Sequence, residues 1–176
     1  AGQALPPAGG GASEGGPPPP RGAHPVARRD SPRVLKPFPG AARDVLEQAE
    51  YFEILRLHPD RRAAKGRPSG RVFHEWLIRG RAKITDSAER RALIEALYRS
   101  IDANPGEAAK CFRPRHGLHA VKGDRTVDVV LCFECLTLRG HGAIPGEQTH
   151  GYLTADAQPL FDALLKKHAL AKHSGD

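Results

Sequence analysis

Two of the chain's three cysteines stand at Cys132-Phe-Glu-Cys135, inside the apolar run 127–138, and the third, Cys111, opens the upstream segment Cys-Phe-Arg-Pro-Arg-His-Gly. With His116 from that segment, the thiols make a three-sulfur, one-nitrogen set of the kind that holds zinc in a tetrahedron. Residues 117–131 separate the halves, a finger-like span, and His119 is an alternative to His116. Strand alternation works against this set. On a regular strand, residues three apart point to opposite faces, so Cys132 and Cys135 reach one ion only if the chain kinks at Phe133-Glu134. The competing reading is a disulfide from Cys111 to one strand cysteine, with the remaining thiol buried as a small apolar group. Thiol redox chemistry ranks third. Glu134 between the pair disfavours a thiolate, and no helix follows to stabilise one. A cysteine–histidine hydrolase built on Cys111 and His116 lacks an orienting acid and an oxyanion element.

Arg113 and Arg115 flank Pro114, which rigidifies the turn, and Gly117 permits a sharp exit. Two guanidinium groups held beside the cysteines are suited to grip an anion or a carboxylate. In the competing reading they pair with Glu134, Asp128 or solvent. The candidate site is therefore Cys111, His116, Cys132 and Cys135 as metal ligands, with Arg113, Arg115, His119 and Glu134 as binding residues. Zinc is the one cofactor this set implies. The remaining histidines of the body, among them His58, His74, His141 and His150, are scattered and read as surface or packed residues.

The elements that must position this site follow from periodicity and punctuation. Residues 41–49 suggest a short helix carrying Val45, Leu46 and Ala49 inward. Residues 51–57 read as a strand closed at Pro59, which has no N–H to offer a ladder. Residues 71–84 read as a second strand, interrupted at Gly80 by a bulge or bend. Asp86 and Glu89 form a capping box ahead of Leu93, Ile94, Leu97, Tyr98 and Ile101, and Asn104-Pro105-Gly106 stops that helix. Residues 118–121 and 126–139 pair as a hairpin about Lys122-Gly123-Asp124-Arg125. An edge strand at 148–153 and a helix from near Asp156, with Pro159 in its first turn, complete the set. The fold class is α+β: an antiparallel sheet of about four to five strands with two main helices packed on one face.

Residues 1–40 hold eight glycines and ten prolines and few large apolar side chains. Such a stretch cannot offset its ordering entropy by burial, so it reads as a disordered tether, followed by one domain at 41–171 and a flexible end at 172–176. The net charge is +7. Arginines crowd residues 61–71, but no aromatic platform or nucleic-acid motif accompanies them, which weighs against a nucleic-acid partner and leaves a protein partner as the expectation. The longest apolar run, 129–133, is far too short to span a bilayer. The chain opens on Ala1 and has no methionine. Removal of an export signal or simple trimming would both explain that, so the expectation is an exported protein, periplasmic or extracellular, with the cytoplasm still open.

Phe73-His74-Glu75-Trp76, the Cys111 to Gly117 segment, Val127-Asp128-Val129-Val130-Leu131-Cys132-Phe133-Glu134-Cys135 and Gln158-Pro159-Leu160-Phe161-Asp162 together resemble a family of small bacterial proteins of uncharacterised function. The resemblance implies export for some members and transfers no catalytic role. Glycine-rich phosphate loops, paired catalytic carboxylates and a nucleophile elbow are absent from the sequence, which weighs against an enzyme. The functional expectation is a non-enzymatic binding or structural module with a Cys/His cluster that holds zinc. Its alternatives are a disulfide-stapled extracytoplasmic interaction domain and, further off, a thiol-redox enzyme.

Overall fold

A computed structural model of the chain describes residues 2, 40–142 and 148–171. The expected tether at 1–40, apart from Gly2 and Gly40, and the expected flexible end at 172–176 lie outside these residues. The described chain runs α1 (Gly40–Glu47), β1 (Tyr51–Leu57), β2 (Val72–Phe73), β3 (Trp76–Lys83), α2 (Ser87–Ala103), β4 (His116–Lys122), β5 (Arg125–Cys132), β6 (Thr137–His141), β7 (Gln148–Tyr152) and α3 (Gln158–Ala171). The strands form one antiparallel sheet in the order β2-β3-β1-β4-β5-β6-β7.

The class is thus mixed helix and sheet, as expected, but with seven strands rather than four or five; the three helices are the short one expected at 41–49 and the two main ones. Both extra strands arise where one long strand was expected and a tight hairpin stands instead. The stretch 71–84 turns back at His74-Glu75, pairing Phe73 with Trp76. The stretch 126–139 turns back over residues 133–136, pairing Cys132 with Thr137. Neither turn contains Gly, Pro or Asn. Their left-handed positions are taken by His74 at φ +54° and Leu136 at φ +55°, a region that L-residues with a Cβ seldom enter. The expected hairpin, by contrast, turns at Gly123 with φ +58°.

β1 is buried on both faces, by the helices on one and by the Phe73–Trp76 cluster on the other, and its sequence shows no clean alternation. On one face Phe52, Ile54, Ala82, Leu118, Val127, Val129 and Leu131 meet Val45 and Leu46 of α1, Leu93 and Leu97 of α2, and Phe161 and Leu164 of α3. On the other face Leu55, Leu57, Phe73, Trp76, Ile78 and Val130 form a smaller cluster, with Phe112 packed on it. Gly117 lies under that cluster, where an added Cβ would come within 2.9 Å of the Phe73 ring. The bend expected at Gly80 is a register shift in the β1–β3 ladder between Arg56 and Leu57.

α2 starts as its capping signal implies. The Asp86 carboxylate accepts from the backbone N–H groups of Ala88 and Glu89 at 2.8 and 2.9 Å, and those bonds hold its pKa below the usual carboxylate range. Glu89 itself faces α3, where Lys167 and His168 bond its carboxylate.

Candidate functional site

The cysteine-bearing segments do come together. Cys111 and Cys135 stand at disulfide distance, with Cα atoms 5.8 Å apart, and tie the segment before β4 to the β5–β6 turn. Cys132 is free and buried at the end of β5, where burial pushes its thiol pKa up. His116 shares the helix-bearing face with Leu118 and Ala120, while Cys132 shares the opposite face with Val130. The four expected zinc ligands are therefore divided: two sulfurs in the staple, one free thiol buried among backbone N–H groups of Arg113, Glu134 and Cys135, and an imidazole turned to the far side. Among the described residues, no group of three or more His, Cys, Asp or Glu side chains is arranged to hold a metal ion.

His116 is 4 % exposed. Its Nε2 lies 2.9 Å from Oδ1 of Asp162 on α3, and its ring stands edge-on to Phe133 and Phe161. Burial lowers its pKa, and the Asp162 bond only partly opposes that. It is a polar tie between β4 and α3. Around its outer edge a cleft of about 390 Å³ is lined by Arg113, Arg115, Phe133, Glu134, Ala155 and Gln158. Pro114 is buried while Arg113 and Arg115 on either side are exposed, so the proline anchors the segment and the guanidinium groups stand outward. Arg115 reaches Glu134 only at 3.9 Å. The fourth expected binding residue, His119, lies on the other face of the sheet from His116.

There His119 belongs to a constellation that sequence reading passed over. The ladders align Lys83, Glu53, His119, Asp128, His141 and Gln148 in one rung across β3, β1, β4, β5, β6 and β7. Asp128 bonds two imidazoles, Nδ1 of His119 at 2.6 Å and Nε2 of His74 at 2.9 Å. Burial pulls the Asp128 carboxyl up, but the bonds from His119 and His74 outweigh it and leave its pKa lowered. The Asp128 bond raises the pKa of His119 against burial. His74 reaches the rung from the β2–β3 turn and stacks on His141, with ring centroids 3.8 Å apart and planes 15° from parallel. A cleft of about 450 Å³ opens here, lined by Arg61, His74, Glu75, Trp76, Arg139 and His141 among others. The signal that would have found part of it was in the hairpin: a turn centred on Gly123-Asp124 sets His119 opposite Asp128.

No family model matches this chain, and no curated protein and no solved structure matches it. No helix of the described residues is long and apolar enough to cross a membrane. The Cys111–Cys135 pair is compatible with an oxidising compartment.

Proposed function

We propose that the protein is a disulfide-stapled, non-enzymatic binding module whose docking cleft beside the staple takes a carboxylate-bearing segment of a protein partner. The carrying observation is the pair Arg113 and Arg115, exposed on either side of a buried proline in a cleft whose one lining acid among the described residues, Glu134, stands 3.9 Å from Arg115. Arginine forks of this kind match carboxylates in two parallel bonds. The staple fixes the segment that carries them, which lowers the ordering cost of binding.

Titration of the purified protein with a short polyglutamate peptide tests the reading. Saturable binding that weakens as salt is raised, and that the double variant R113E/R115E abolishes, is the expected result. Binding unchanged in that variant overturns it. Thiol titration under denaturing, non-reducing conditions separates the staple from a zinc centre. One free thiol and no zinc fits the staple. Three free thiols and one zinc released by chelation return the assignment to the metal centre.

A further inference from the structure

The helix-free face of the sheet carries a cleft that the docking reading does not use, and three observations there converge. First, the turn that delivers His74 is held at φ +54°, where glycine would sit without strain. Non-glycine residues kept in that region collect at binding and catalytic sites, because the surroundings must enforce them. Here the enforcing contacts are the Phe73–Trp76 pairing and the bond from His74 to Asp128.

Second, two imidazoles lie stacked at 3.8 Å. Asp128 already holds His74, while burial first and then the neighbouring His74 ring lower the pKa of His141. Third, the cleft beside the stack is lined by two guanidinium groups that share one acid: Arg61 pairs with Glu75, and Arg139 approaches the same carboxylate at 3.9 Å. Arg139 is also braced from behind, its guanidinium lying 4.0 Å from the Phe112 ring centroid. Among the described residues that line the cleft, two guanidinium groups face one carboxylate, and Arg139 is held in place by Phe112 before any ligand arrives.

We propose that this cleft is a small-oxyanion site, taking a phosphate- or carboxylate-bearing ligand against Arg61, Arg139 and the stacked imidazoles of His74 and His141, with uptake of a proton by His141 on binding. The groups that face the stack define its titration. Asp128 of β5 holds one side and also binds His119 of β4. Glu75 stands in the turn, and Arg139 shares β6 with His141. Gln148 of β7 meets His141 at Nε2, and the positive field of His150 also bears on His141. An incoming anion offsets the positive neighbours of His141 and so draws a proton onto that ring.

Inorganic phosphate and acetate, added separately to the full chain at constant ionic strength, are the probes, followed by imidazole and guanidinium NMR signals. Saturation with shifts at His74, His141, Arg139 and Arg61, titrating separately from any at Arg113 and Arg115, is expected, and the tighter of the two anions at these four residues identifies the ligand class. Calorimetry in two buffers of different ionisation heat should register uptake of about one proton near neutral pH. R139Q should weaken binding by about tenfold or more. H74G removes an imidazole while easing the backbone, so it should lose the binding and keep its melting temperature. R113E/R115E should leave the phosphate-induced shifts at His74, His141, Arg139 and Arg61 unchanged, which keeps this site separate from the docking cleft. Phosphate and acetate affinities unaltered in both R139Q and H74G, or no saturable binding of either anion, overturn the assignment.

Discussion

Asp128 supports two imidazoles at once, and its ionisation can be tested by itself. The folded pKa of His119 is raised, so its contribution is fully present below its unfolded value of about 6.5 and is lost as pH rises through the folded value. The folded pKa of Asp128 is lowered, so its contribution is present above about 3.9 and is lost as pH falls through the folded value. The pair therefore contributes most between about pH 4 and 6.5. Urea unfolding should show D128N less stable than wild type by about 1–3 kcal/mol at pH 5.5, with a smaller deficit at pH 8.5. Equal deficits at the two pH values would mean that the interaction is not ionic. Gly117 makes a second claim at this scale. A Cβ there would meet the Phe73 ring at 2.9 Å and the Leu55 Cβ at 3.3 Å. In G117A the ring must shift, and because Phe73 precedes His74, the His74–Asp128 bond should lengthen. Loss of coupling between the His74 and Asp128 signals by NMR is the readout.

Among the elements, the staple has the widest reach. It joins positions separated by 24 residues, and closing a loop of that length is worth about 3 kcal/mol in the chain-entropy account. The double variant C111S/C135S should lose roughly that amount in denaturant unfolding, and a loss well under 1 kcal/mol would show that packing alone fixes the segment. The same variant frees Phe112 next to Cys111, and with it the support under Arg139, so phosphate binding on the far face should weaken as well. α2 offers a cleaner measurement. Replacing Asp86 by Ala removes two bonds to backbone N–H groups and should cost about 1 kcal/mol.

Legibility at this scale divides along one physical line. β1, α2, the β4–β5 hairpin, the edge strand and α3 were readable because their ends carry Pro, Asp or Gly signals. The turns at His74-Glu75 and at 133–136 were not, since residues with side chains hold the left-handed angles there. Both hidden turns decide the sites. One folds Cys135 back toward Cys111, and the other aims His74 at Asp128. The expected strand through Cys132 and Cys135 failed for that reason, although the need for a kink at Phe133-Glu134 was legible.

For the molecule as a whole, the sheet consists of two parts: β1 paired with the β2–β3 hairpin through β3, and the meander β4 through β7. They are joined by the ladder between β1 and β4. Sequence reading gave the class and most of the helical core, because alternation and helical spacing report which side of an element is buried. It could not give the face opposite the helices, whose rung is assembled from six strands and depends on register between distant segments. His119, Asp128 and His141 belong to the meander, and His74 belongs to the other part. Anything gripped by both halves acts as a clasp over their seam. Bound phosphate should therefore slow the unfolding rate while leaving the refolding rate nearly unchanged, because the long-range closure that completes the grip comes last.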